Sequence, residues 1–453
     1  MAVADITSLE SLLSPSSTLT IPTKPFTEDY NNWTNYAVIT PKAVIKTTSE
    51  PDIQTVVRFA AEHNLRVSVR GGGHSVFNSC DGIILDLAGW DEIVYDDDDD
   101  TIRVRPGVLG GKVMEVAGER GRCVLSGTCN TVGVTSLYLS GGLGPLTPKL
   151  GMAIDSLLSA RLITASGELL TVSPESNPEV FHVLAGAGQT LGVVTEMQIK
   201  THPLNETLNT ADETVFFASI TFPASRVAEI TDLLSSTKWD ENTAVYLMLL
   251  SPPEGGAPLF VFSISYYGSD EDAKRILKGL YDLKPIAETA KRVPYVRMND
   301  GGEGFGERGE FKRMMGVGLK RMSVEGMKGM VEAYENLLAV GGDLGKCGVL
   351  FELLGMDVAR KSSIGVYAHR DIDIWCIPLL WYSHPESHAI AEKFGRDVRK
   401  ALKGGDVSED MVVYPAFRAG DETPEELWGS KETAEKVAGM KAKLDTKGVF
   451  LKF

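Results

Sequence analysis

Three short segments of this chain place nucleophilic or hydrogen-bonding side chains beside runs of glycine. The first is Arg70-Gly71-Gly72-Gly73-His74-Ser75. Its glycines remove every Cβ from a tight loop and allow positive φ, so successive backbone N–H groups can converge on an anion such as a pyrophosphate. A bare glycine triplet is as often a flexible turn, and a lone loop histidine is usually structural; a histidine fixed at the loop's exit is harder to dismiss. The second segment runs Ser126-Gly127-Thr128-Cys129-Asn130-Thr131-Val132-Gly133-Val134 and on to Ser140-Gly141-Gly142-Leu143-Gly144. Small residues at this density let a backbone lie flat against a planar ligand. A single cysteine is commonly an inert buried thiol, but the hydroxyl and glycine neighbours of Cys129 suit an approachable, reactive one. The third, Gly186-Ala187-Gly188-Gln189-Thr190-Leu191-Gly192, invites a dinucleotide-fingerprint reading. The order is wrong for that, because a helix-like stretch precedes these glycines and a strand follows, whereas the fingerprint follows a strand and opens a helix.

The elements around these segments alternate strand and helix. Residues 44–46 and 66–70 read as strands, with a helix between them that Ser49 and Pro51 open and whose Ile53, Val56, Val57 and Ala60 fall at helical spacing. Strands are expected at 83–87, 102–105 and 192–200, a helix at 108–119, and a hairpin at 158–173 that turns at Ser166-Gly167. The aspartates at 96–100 lie between Ile93-Val94-Tyr95 and Ile102-Arg103-Val104 and read as a solvated hairpin turn rather than an acidic functional run. After Pro203 the texture changes. Strands at 215–221, 244–250 and 259–267 and helices at 225–236 and 270–282 are followed by a glycine- and charge-rich interruption at 299–320, then helix, strand and helix. This reads as a separate α+β unit. The last fifty residues are too few for a third domain and are expected to complete the first.

At 453 residues the chain needs more than one core, and 43% hydrophobic with 23% charged residues is the balance of a soluble globular protein. A net charge of −16 disfavours nucleic acid and anionic lipid as partners. No apolar run approaches bilayer length, no secretory leader is evident, and five scattered cysteines have no metal-ligand spacing. A cytoplasmic protein acting on a small molecule is expected; oligomeric state is not legible.

Taken together, the three segments resemble the berberine-bridge-enzyme-like branch of the vanillyl-alcohol-oxidase flavoproteins, with their PCMH-type FAD-binding domain. The Arg-Gly-Gly-Gly-His-Ser loop matches at 70–75, Gly-x-Cys-x-x-Val-Gly-Val at 127–134, and the glycine turn before Gly-Val-Val at 186–194. Asp155, Tyr367-Ala368-His369-Arg370 and the closing stretch from Tyr414-Pro415-Ala416-Phe417 to Phe450 match further elements. The resemblance implies a two-domain α+β fold, with an FAD domain at 1–205 completed by 405–453 and a sheet-and-helix substrate domain at 206–404. It implies FAD attached through His74 to the flavin 8α carbon and through Cys129 to C6. Carried over residue by residue, the cofactor set is Arg70, Gly71, Gly72, Gly73, His74, Ser75, Thr128, Cys129, Val132, Gly133, Val134, Gly141, Gly142, Gly144, Asp155, Gly192, Val194, Tyr414 and Phe417.

The departures bear on the chemistry. Leu137 and Leu143 stand where the family usually has His and Tyr, and Ala416 and Phe417 replace an amide and a phenol. The strand 375–381 lacks the carboxylate that relatives often place there as a base. The candidates left for proton removal are Tyr414, Tyr367, Tyr138, His369 and the acids of 303–310, with Trp381 as a pocket wall and His369 equally readable as a structural histidine. The expected activity is oxidation of a small neutral or apolar metabolite of secondary metabolism, with hydride passing to the flavin and then to dioxygen and with ring formation as a coupled outcome. The alternatives are a redox-neutral cyclase or isomerase that keeps FAD as a scaffold, and a non-catalytic flavin-binding protein.

Overall fold

Ser49 opens the first long helix as its residue type predicts. In the computed structural model, which describes residues 6–23, 30, 32–252, 254–408 and 410–450, the Ser49 side chain accepts the Asp52 N–H, and helix Glu50–Glu62 carries proline and two acids in its first turn. Ile53, Val56, Val57 and Ala60 form its buried stripe. That stripe packs on a sheet ordered Thr18–Thr20, Ala43–Lys46, Ile83–Asp86, Val67–Arg70. The last three strands are parallel, and their nearly unbroken apolar character follows from burial on both faces.

A second sheet is antiparallel, in the order Ile93–Asp96, Thr101–Val104, Val193–Lys200, Leu157–Ile163, Leu169–Val172. The aspartates do turn the chain between its first two strands. The C-terminal segment returns to this unit. Phe450 bridges to Val67 beside the parallel sheet, and Lys441 in helix Lys431–Leu444 donates to Thr190 O, Phe450 O and Asp445.

Residues after 210 build an eight-stranded sheet ordered Ala287–Pro294, Thr214–Pro223, Leu259–Tyr266, Thr243–Leu250, Gly348–Leu354, Ile374–Tyr382, Phe311–Met314, with Val317–Leu319 also paired to Ile374–Tyr382. The stretch 299–320, expected as an interruption, thus supplies two strands. Ala287–Pro294 was not foreseen, because an edge strand with mostly exposed polar side chains shows no apolar alternation. Strand periodicity sorts the central residues onto two faces. Val245, Leu247, Phe351, Leu353, Cys376 and Leu380 pack under helices Val227–Ser236, Val324–Val340 and His388–Gly404. Ala244, Tyr246, Leu354, Trp375 and Ile377 instead join the core of the first unit.

One nearly buried ion pair crosses the seam between the two units. Arg370 grips Asp155 with two parallel hydrogen bonds of 2.8 and 2.9 Å, and it also donates to Ala359 O and Ile364 O. Both side chains are about nine-tenths buried. Removing one partner of such a pair strands the other charge, so Asp155→Asn is expected to cost about 3 kcal/mol. The urea midpoint should fall accordingly, and adding Arg370→Met to that variant should cost less than the sum of the single changes.

Candidate active site

The three glycine segments converge on one cleft. It is lined by Arg70 to Ser75 from the first, Gly133, Thr135, Ser136 and Leu139 from the second, Gln189, Thr190, Gly192 and Val194 from the third, and Arg418 and Phe450 from the returning tail. Two glycines are required by geometry. A Cβ at Gly72 would sit 2.6 Å from Gly133 N, and Gly73 has φ +73°. Buried polar atoms are normally hydrogen-bonded. Asn78 Nδ2, Thr135 Oγ1 and Thr190 Oγ1, all at this cleft, are buried with no partner among the described residues. Arg418 adds a cation; burial pushes its guanidinium down to about 10, still charged at neutral pH. Unfilled donors, a glycine loop and a guanidinium fit the phosphates and hydroxyls of FAD.

His74, on the cleft lining, and Cys129, just outside it, share a neighbour. Thr131 Oγ1 lies 2.8 Å from His74 Nε2 and 3.3 Å from Cys129 Sγ. Trp33 stacks on the imidazole at 5.6 Å. Burial, reinforced by the charges of Arg308 and Lys312, holds the His74 pKa down at about 3, so the ring is neutral. Of the five cysteines only Cys129 is not buried.

The sheet face turned toward this unit carries a group that sequence reasoning missed. Tyr246, Glu352 and Trp375 are direct cross-strand neighbours on three adjacent strands. Tyr246 OH, Glu352 Oε2, Trp375 Nε1 and the nearby Tyr367 OH are all buried without a hydrogen-bond partner among the described residues. Burial raises the Glu352 carboxyl to about 7, and its charge acts on Tyr246, Tyr367 and Tyr414. Tyr414 OH accepts the Gly142 N–H at 2.9 Å, and its ring meets Tyr367, Trp375 and Phe417 at 5.8, 5.7 and 5.0 Å. A lone acid within the apolar run 349–354 was the available signal.

Other expected site residues lie elsewhere. Asp155 does not face the cleft, because both its oxygens are taken up by Arg370 and the Met152 N–H. Tyr138 is fully buried and donates to Leu125 O, out of reach of a ligand's proton. His369 Nε2 meets the Glu426 and Leu427 carbonyls, a structural role. Trp381 hydrogen-bonds Glu310 at the far end of its strand. Burial alone would raise Glu310, but hydrogen bonds from Lys346, Ser383 and Trp381 outweigh it and hold the carboxyl at about 2, too weak a base to abstract a proton. Gly141 and Gly142 pack on Met152, Ala153 and Tyr367, and Gly144 on Ser126. Thr128, Cys129, Val132, Val134, Tyr414 and Phe417 also stand outside the cleft lining, with Cys129 joined to it through Thr131 and His74.

A family model described as an FAD binding domain matches residues 41–173. The FAD-linked oxidoreductase hasG of Aspergillus fumigatus is 26% identical over 458 residues, covering 96% of each chain. Among solved structures, BBE-like 1 of Physcomitrella patens superposes with a TM-score of 0.82 at 17% identity, over 98% of this chain and 97% of that one. Glucooligosaccharide oxidase from Acremonium strictum, described with a 6-S-cysteinyl, 8α-N1-histidyl FAD, superposes with a TM-score of 0.81 at 19% identity, over 98% of this chain and 97% of that one.

The buried carboxyl has a measurable signature. An acid with a raised folded-state pKa stabilises the fold fully below its unfolded value, and that contribution is lost as pH rises to the folded value. Between pH 4.5 and about 7, Glu352→Gln should therefore gain stability relative to the unmodified chain, on the order of 3 kcal/mol. Thermal melts of both chains across that window check it; a stability difference that stays flat with pH would show Glu352 to be solvated.

Proposed function

The chain belongs to the berberine-bridge-enzyme-like FAD-linked oxidoreductases, and we propose that it carries FAD on two covalent bonds, at His74 and Cys129, and oxidises a small neutral or weakly polar metabolite. The carrying observation is the placement of two nucleophilic side chains on either side of one hydroxyl, Thr131 Oγ1, beside a cleft suited to FAD. The reading is supported by the Acremonium strictum enzyme, whose FAD is named as joined to a cysteine and a histidine, the two residue types brought together here. The unit built from 1–205 and 405–453 holds the cofactor, and the sheet of 206–404 presents the substrate face. When bound, the flavin accepts a hydride and passes its electrons to dioxygen.

The chain's own residues supply a proton acceptor and a dry wall. Glu352, raised to about 7, is half ionised near neutral pH and takes the proton of a substrate hydroxyl. Tyr414, its phenol oriented by the Gly142 N–H, relays or positions that proton. The unpartnered Tyr246, Tyr367 and Trp375 polar atoms pair with substrate heteroatoms, and the surrounding rings exclude water. Glu352 was not among the candidate bases read from the sequence. Glu352 reaches the substrate face from the strand next to the one where relatives place their base.

Denatured protein should stay yellow and show an intact mass increased by one FAD, and His74→Ala and Cys129→Ala together should release it. Anaerobic substrate should bleach the flavin, and admitting air should restore it with consumption of oxygen. Product that forms at full speed with the flavin still oxidised would overturn the oxidase reading. In steady state, turnover should rise as pH passes through about 7, and Glu352→Gln should lose that limb and about two orders of magnitude in kcat.

A further inference from the structure

We propose that Thr131 is the positioning residue for both covalent attachments, one hydroxyl preparing His74 and Cys129 in turn. The proposal rests on the double attachment set out above. A hydroxyl has one proton to donate and lone pairs to accept with. Thr131 Oγ1 stands 2.8 Å from His74 Nε2 and 3.3 Å from Cys129 Sγ. The His74 ring has no other hydrogen bond among the described residues. In the arrangement that serves both nucleophiles, Nε2–H donates to the hydroxyl and the hydroxyl donates to sulfur. The proton then sits on Nε2, and the Nδ1 lone pair is free to attack. At the other end, the hydrogen bond between Thr131 Oγ1 and the sulfur holds the Cys129 side chain in one orientation.

The surroundings hold this arrangement in place. The imidazole is stacked under Trp33 and kept neutral, and neutrality is what a nucleophilic nitrogen needs. A Cβ on Gly306 would lie 2.9 Å from Thr131 Oγ1 and 3.7 Å from Cys129 Sγ, so the loop of the second unit closes directly over the hydroxyl. Asn299 reaches the same region, donating to Gly127 O and Asn130 Oδ1. The hydroxyl therefore has little freedom to turn toward solvent.

Each attachment replaces one hydrogen on the protein nucleophile and one on a flavin carbon. The two electrons reduce the flavin and pass to dioxygen, and the two protons leave with them as hydrogen peroxide, one O2 consumed per bond. The proton from the histidine side departs through Nε2 to Thr131. For the cysteine, the hydroxyl holds the sulfur in place until the carbon–sulfur bond forms and the sulfur's proton is lost.

The test separates the two bonds. Full-length Cys129→Ala forms only the histidyl bond and His74→Ala only the cysteinyl one. Each is produced with limiting riboflavin and then given FAD in air, and the covalent fraction is followed by intact mass of denatured aliquots. Adding Thr131→Val should slow both attachments on the order of tenfold or more, while Thr131→Ser should restore both rates. Thr131→Ala replaces the valine variant if that chain fails to bind FAD before denaturation. Unchanged attachment in the valine or alanine chain at either residue overturns the proposal. So does a serine chain as slow as the valine one, which would assign the effect to packing of the methyl group. If the unmodified chain itself releases all its flavin on denaturation, the double-attachment reading fails, a result visible before any Thr131 variant is made.

Discussion

The grip of Arg370 on Asp155 is the contact through which the two halves of the site are aligned. It joins residues 215 positions apart in sequence, and its effects spread outward on both sides. On one side, Asp155 also accepts the Met152 N–H. The turn it stabilises donates from Ala153 to Gly142 O and from Ile154 to Gly141 O. Gly142 in turn presents its N–H to Tyr414. On the other side, the same arginine secures the loop that carries Tyr367, whose backbone lies within 3.0 Å of where a Cβ on Gly186 would stand. A buried pair of charges gains little net stability over apolar packing. Its effect is on register: the two-pronged contact holds the loop that carries Tyr367 against the turn that supports Gly141 and Gly142.

Within that frame the proposed substrate face is marked by under-satisfied polar groups. Four buried polar atoms from Tyr246, Glu352, Tyr367 and Trp375 find no partner among the described residues, although an unpaired buried group costs about 1–3 kcal/mol. Natural proteins tolerate such a cluster where a ligand completes it. Burial is the one cause that raises the Glu352 carboxyl to about 7.

What was legible in the sequence was local. Gly72 and Gly73 could be recognised because close backbone approach and positive φ constrain residue type at a single position, and Ser49 because a helix cap is decided within four residues. The tandem of His74 and Cys129 was legible through resemblance to known motifs. Glu352 was not, since its meaning comes from lying between Tyr246 and Trp375 across two strand pairings, and registers between distant strands leave no mark in one sequence. Asp155 was assigned to the cofactor for a related reason. A matched motif says that a residue matters without saying what it touches, and Arg370 was too distant in sequence to be seen as its partner. Strand Ala287–Pro294 escaped because its side chains are solvated and carry no periodic signal.

A buried cation shows how the structural and chemical demands converge. Lys312 has no exposed surface, yet it donates to the carbonyls of Trp33, Glu307 and Gly309 and lies over the rings of Trp33 and Trp381. Burial pushes its pKa down to about 8, opposed by Glu310 and Glu307, so at neutral pH the ammonium remains mostly charged. Three carbonyls and two aromatic faces are what make that charge tolerable. The ammonium thereby fastens the 305–310 loop and Trp33 to each other, with Trp33 Nε1 donating to Phe305 O and Arg308 reaching Gly72 O. Trp33 is also the ring stacked on His74, and the charges of Arg308 and Lys312 are among the causes that keep the imidazole unprotonated. The cation that closes the second unit over the glycine loop is thus also one that leaves the histidine neutral. An uncharged residue of similar size at position 312 could fill the space but would supply neither the carbonyl clamp nor the field.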